Sequence, residues 1–137
     1  MNRNDLQILS RVRPREAKAL LGLGLNDGAY YLAGYAVECG LKACIAKRTL
    51  RYDFPTKDLL QNLYIDDPNK LLNTARLVAE QKAHAIADPR FRANWSMVEL
   101  RSPDSRYNTH SREDADSLVT AVADGRHGVI AWLKRYW

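Results

Sequence analysis

The sequence has only two cysteines, no uninterrupted apolar run of membrane-spanning length and no dense tract of lysine or arginine. Cys39 and Cys44 lie on one predicted helix, and a turn of about 100° per residue places them on different faces. A disulfide between them is therefore disfavoured. A spanning helix needs about 20 apolar residues, and Glu38 and Lys42 interrupt the one candidate. We predict buried free thiols and no membrane-spanning helix.

The residues at the start of the sequence do not resemble a targeting signal, and we expect none there. Residues 1–16 carry too many charges for a secretory signal, and Asp5 and Glu16 argue against a transit peptide. We therefore expect a cytoplasmic protein. The 137 residues, 46% hydrophobic and 27% charged, are typical of one soluble domain spanning residues 1–137.

No metal or cofactor motif stands out. His84, His110 and His127 are scattered, and no set of cysteines and histidines has ligand spacing. Asp124 and His127 are three apart on a predicted helix, which is typical of an exposed ion pair. We predict no metal and no cofactor. The net charge of +5 is compatible with a nucleic-acid partner, although many soluble domains reach this value.

Helical signals dominate, and no segment alternates with the period of a strand. We predict a bundle of four main helices plus short ones. In the first part of the chain we expect a short segment at 5–12, a helix from Pro14 to Gly22 or Gly24, and a central helix from Asn26 or Asp27 to about Arg48. A short helix after Thr56, a helix at 69–85 after Asp66 or Asp67, and one turn after Pro89 should follow. A loop at 99–110 then leads to a last helix, which is capped by Ser111 and runs from Arg112 nearly to Trp137.

Glu38 is the unusual residue of the central helix, because it stands within the apolar stretch AYYLAGYAVECGLKACI. A buried carboxylate is costly unless it is paired or hydrogen-bonded. Lys42 is a local partner one turn later, in the favoured direction. Arg101, Arg106 and Arg112 are long-range alternatives, since an antiparallel bundle can return the loop before the last helix over the central one.

Three sequence blocks resemble the HEPN family, the higher eukaryotes and prokaryotes nucleotide-binding domain. They are NDGAYYLAGYAVECGLKACI, FPTKDLLQNL, and RYN ahead of a long C-terminal helix. The resemblance spans about Pro14 to Trp132 and implies an all-α up-and-down bundle that commonly dimerises. Many members of the family are metal-independent RNA endonucleases, often toxins paired with a nucleotidyltransferase antitoxin. Other members bind nucleotides, RNA or proteins without catalysis.

The resemblance also implies site residues. Active members carry an Arg, four to six residues and then a His near the start of the last core helix, with a polar residue on the second helix. Glu38 suits the polar position, Arg106 the cation and His110 the acid or base, but only three residues separate Arg106 from His110. This spacing favours a non-catalytic module that binds nucleotide, RNA or a partner protein through Arg101, Arg106 and Arg112.

Two other functions remain open at this point. One is a metal-independent RNA endonuclease toxin using Arg106, His110 and Glu38, with a nucleotidyltransferase-like antitoxin as partner. The other is a structural dimerisation subunit. A homodimer is expected in either case, and the small residues Gly34, Ala36 and Gly40 suit close helix contacts within or between subunits.

Overall fold

The computed structural model describes residues 1–49, 61, 65–101, 104 and 107–137. Within them every long regular element is a helix and no strand occurs, which confirms the all-α prediction for this part of the chain. The helices are α1 (Arg3–Gly22), α2 (Asn26–Thr49), α3 (Pro68–Thr74), α4 (Val78–Ala87), α5 (Pro89–Glu99), α6 (Arg112–Ala123) and α7 (Val129–Leu133). The predicted cap at Thr56 and the candidate site residue Arg106 lie outside the described residues.

The first helix corrects a predicted boundary. We expected a short segment followed by a new helix at Pro14, but α1 is continuous and contains Pro14. A proline inside a helix loses one backbone hydrogen bond. Pro14 is buried here, so the burial of its ring offsets that loss. The predicted stop is confirmed, since α1 ends at Gly22 and Gly24 has a φ of +77° that favours glycine.

The central helix α2 has the predicted extent and is buried on most sides by α1, α3, α6 and α7. Small residues allow the close approach. A Cβ at Gly40 would come within 2.9 Å of Leu133 Cδ1 and 3.0 Å of Ser10 Oγ. The Ser10 hydroxyl donates a hydrogen bond of 2.8 Å to the carbonyl of Ala36. These small residues therefore serve contacts within the chain.

The predicted helix at 69–85 is two helices in the structure. Asp67 caps α3 by accepting from the backbone N–H groups of Asn69 and Lys70, which confirms that start. The chain then leaves helical geometry at Arg76, whose φ is +56°. A new helix, α4, begins at Val78. The prediction of a single helix was therefore wrong, because a residue with positive φ interrupts the α-helical backbone.

The segment after Pro89 is a full helix, where we predicted one turn. Asp88 caps α5 by accepting from the N–H groups of Arg90 and Phe91, both at 3.1 Å. The buried residues Phe91, Trp95 and Val98 form one face of the helix. Their i, i+4, i+7 spacing is the signal of an amphipathic helix that was missed.

The last predicted helix is also interrupted. The Ser111 cap is confirmed, because its hydroxyl accepts from Asp114 N at 3.1 Å. However, α6 ends at Ala123. The Asp124 carboxylate then accepts from the N–H groups of Arg126 and His127 at 2.8 and 2.7 Å. Such a side-chain-to-backbone turn competes with the helix, so the predicted exposed Asp124–His127 ion pair on one helix face was wrong.

Candidate ligand-binding site on the central helix

Arg101 is the only charged side chain that is buried among the residues that the structure describes, with 9% of its surface exposed. It follows the end of α5, where its N–H donates to the Val98 carbonyl at 3.1 Å. Its side chain crosses α2 at Gly34. A Cβ at Gly34 would overlap the Nε, Cδ and Cζ atoms of Arg101. The absence of a side chain at position 34 therefore makes room for the guanidinium.

The guanidinium of Arg101 has an aromatic neighbour, and its Nε has no acceptor among the described residues. Its Cζ lies 5.8 Å from the centroid of the Tyr31 ring, within cation–π range. Its buried Nε has no hydrogen-bond partner among the described residues. An unsatisfied buried donor costs about 1–3 kcal/mol, and such a group calls for an explanation, of which a functional role or a bound water or ion is one. We call Tyr31, Gly34 and Arg101 the Arg101 site.

His110 contacts α2 beside this site. Its ring stacks on Tyr30, with centroids 3.8 Å apart and planes 8° apart. Its backbone N–H donates to Asp27 Oδ1 at 2.6 Å. Because Tyr30 precedes Tyr31, the structure brings His110 and Arg101 to neighbouring positions of the same helix.

The sequence left two kinds of partner open for Glu38, and the structure shows the local one, Lys42. The Oε1 atom of Glu38 lies 2.6 Å from Lys42 Nζ, and the two side chains are only 13% and 19% exposed. Tyr30, on which His110 stacks, precedes Glu38 by eight residues, or about 12 Å along the helix axis. The structure therefore anchors Glu38 and His110 at separate levels of α2.

No contact of the described residues brings the other predicted binding arginines to the Arg101 site. Arg112 is the first residue of α6 and is exposed. Arg106 lies outside the residues that the structure describes. The catalytic group of Arg106, His110 and Glu38 therefore stays a prediction.

The cysteines do not supply a nucleophile. Burial raises the pKa of the Cys39 thiol to about 11 and that of Cys44 to about 12. Both thiols are free, as predicted, and at neutral pH they remain protonated. Because the thiolate is the reactive form, they act as small buried hydrophobic residues. Burial likewise raises the pKa of Tyr35 to about 12.

A second polar cluster, which the sequence did not reveal, joins His84, Asp88 and His127. The Asp88 Oδ2 atom lies 2.7 Å from His127 Nδ1 and 3.8 Å from His84 Nε2. The hydrogen bond from His127 holds the pKa of Asp88 below its usual value. Burial lowers the pKa of His84, whose ring packs edge-on against Phe91 at 4.5 Å. The sequence signal that could have indicated this cluster is the i, i+4 spacing of His84 and Asp88.

This cluster fastens the α4–α5 junction to the turn between α6 and α7. In the part of the chain that the structure describes, no group of three or more His, Cys, Asp or Glu side chains could hold a metal ion. No helix of that part is long and apolar enough to cross a membrane.

No family model, curated protein or solved structure matches this chain. The HEPN resemblance accordingly rests on the three sequence blocks, and the functional interpretation rests on the residues of the site.

Proposed function

We propose that this chain is a non-catalytic, HEPN-like helical module that binds RNA at the Arg101 site. The observation that carries the proposal is the buried guanidinium of Arg101, which rests on Gly34 with an Nε that has no acceptor among the described residues. Arginine is well suited to phosphate, because its planar fork donates several hydrogen bonds and keeps its charge when partly buried.

Aromatic rings beside the guanidinium suit a nucleobase. The Tyr31 ring is 36% exposed and lies parallel to the Tyr35 ring, with 6.2 Å between centroids. Stacking of a base on an aromatic side chain contributes about 1–3 kcal/mol and tolerates different bases. A phosphate on Arg101 and a base on Tyr31 would give a single-stranded RNA two contacts at one site.

The anchoring of the candidate catalytic residues favours binding over cleavage. Metal-free cleavage of RNA needs an acid and a base at the 2′-hydroxyl and a cation at the phosphate. Glu38 is paired with Lys42, about 12 Å along α2 from the ring on which His110 stacks. Because a misplacement of about 1 Å can reduce a rate roughly 100-fold, this separation does not suit a shared active site.

Because of the resemblance, the same proposal includes an up-and-down arrangement of four main helices, a homodimer and a nucleotidyltransferase-like partner. A ribonuclease toxin and a structural dimerisation subunit are the alternatives, and each corresponds to a distinct outcome of the test.

The test uses a labelled single-stranded RNA in buffer without metal, with cleavage and retention measured on one preparation. We expect retention that weakens with rising salt, and no cleavage. Arg101→Ala and Tyr31→Ala should each weaken binding at least about fivefold, the lower end expected for a lost stacking contact. Arg92→Ala removes the same charge from an exposed position on α5 and should change binding little.

Three outcomes would contradict the proposal. Cleavage that His110→Ala abolishes would favour the ribonuclease. Absence of both cleavage and retention would favour the dimerisation subunit. Equal weakening by Arg101→Ala and Arg92→Ala would indicate a diffuse charge effect and remove the Arg101 site from the explanation.

A further inference from the structure

We propose that a basic groove, away from the Arg101 site, forms a second contact for the phosphate backbone of RNA. This inference rests on the proposed RNA binding and adds a site to it. The groove has a volume of about 400 Å³ and lies between α1, the turn after α6 and the end of α7. Four exposed cations line it, namely Arg11, Arg15, Lys18 and Lys134. We call these four residues and the space between them the basic groove.

Helical spacing places three of the cations in a row. Arg11, Arg15 and Lys18 are at i, i+4 and i+7 of α1 and therefore share one face. The row extends about 10 Å along the helix axis at 1.5 Å per residue. Lys134 faces it from the residue that follows α7. A row of this kind suits a ligand with successive charges rather than a single carboxylate.

Among the residues that the structure describes, no ion pair neutralises the cations of the basic groove. The carboxylate that lines the groove, Asp124, accepts instead from the backbone N–H groups of Arg126 and His127. Those bonds lower the pKa of Asp124, so it is ionised at neutral pH, and the described lining residues carry four positive charges against one negative.

Such an arrangement costs stability unless an anion occupies it. Like charges one turn apart on a helix destabilise it by a few tenths of a kcal/mol per pair, and Arg11 and Arg15 are such a pair. Arg11 is nevertheless held in place, because its Cζ lies 5.1 Å from the centroid of the Trp137 ring. Phosphates would relieve the repulsion and meet one cation that is already positioned.

The basic groove and the Arg101 site can be tested separately because they lie on different sides of α2. Gly34 faces Arg101, whereas Gly40 faces Ser10, which also lines the groove. Six residues rotate a helix by about 600°, which is equivalent to a separation of about 120° between these two glycines around the axis.

The experiment measures the affinity of a labelled 20-nucleotide oligouridine RNA by fluorescence anisotropy across a salt series. The test variant is Arg15→Glu with Lys18→Glu. The control variant is Lys82→Glu with Arg92→Glu, which makes the same charge change at exposed positions of α4 and α5. Loss of two phosphate contacts should reduce the salt slope by about 1.4 and the affinity at 0.1 M salt by about 25-fold. The control should change affinity much less.

The outcomes separate the two proposals. Equal weakening by the test and control variants would overturn the groove and leave only net charge. Weakening by Arg101→Ala but not by the groove variant would overturn the groove and keep the proposed function. If wild type binds inorganic tripolyphosphate through the groove residues but no RNA, both the RNA contact and the proposed function are overturned, and the groove is an anion site only. The milder pair Arg15→Gln with Lys18→Gln repeats the test without reversing charge, and thermal denaturation checks that each variant is folded.

Discussion

Replacing Gly34 by alanine tests the packing of Arg101 on α2 without removing any charge. The new Cβ would lie well inside 3.0 Å of three Arg101 side-chain atoms, a separation that real Cβ atoms do not adopt. The neighbouring atoms belong to a side chain and not to the backbone, so the guanidinium can move. We expect Gly34→Ala to displace Arg101 from α2 while the helix itself persists.

The size of the effect follows from two opposing contributions. Alanine in place of glycine in a helix interior stabilises by about 0.8–1 kcal/mol. Displacing Arg101 loses its contact with Tyr31, about 0.5–1 kcal/mol, and adds the cost of overpacking, typically about 1–3 kcal/mol. The single variant should therefore be near neutral or destabilised by up to about 3 kcal/mol. In an Arg101→Ala background the obstacle is absent, and Gly34→Ala should be stabilising.

Urea denaturation of wild type, both single variants and the double variant measures this coupling. We expect a coupling free energy of at least about 1 kcal/mol, as for residues in contact. Gly22→Ala is the control, since a Cβ at this last residue of α1 meets nothing within 4 Å. It should add to Arg101→Ala within about 0.5 kcal/mol. Additivity of Gly34→Ala with Arg101→Ala would refute the packing.

The remaining predictions concern the ion pair on α2 and the second polar cluster. Glu38→Ala and Lys42→Ala should each cost about 1–2 kcal/mol, because the pair is mostly buried; two nearly neutral variants in denaturant melts would show a solvent-facing pair. The pKa of His84 in the fold lies below its usual 6.5, so stability should fall as pH decreases below 6.5, and His84→Gln should remove this loss in melts over a pH series. The pKa of Asp88 lies below 3.8, so its contribution is present above 3.8 and disappears on further acidification; Asp88→Asn should abolish that step, and an unchanged acid profile would contradict the assignment.

Local signals correctly predicted much of the helical organisation. Asp67 and Ser111 cap helices as expected, because a cap needs only a side-chain oxygen and an N–H two or three residues away. The stop after Gly22 followed from the glycines of that turn. The Glu38–Lys42 pair was one of two stated alternatives and spans a single helical turn. Each of these features depends on residues within a few positions of one another.

The tertiary structure decided the features that depend on distant residues. Pro14 stays inside α1 because it is buried, although a proline by itself favours the start of a new helix. Arg101 meets Gly34 across 67 positions, and His127 meets Asp88 across 39. Neither contact produces a periodic pattern in the sequence, because each joins a residue of a loop or turn to a partner that is close only in the folded chain. The sequence by itself therefore determined the all-helical character, the central helix and several helix caps, whereas the assembly of the helices determined which charged groups are buried, paired or left open to a ligand.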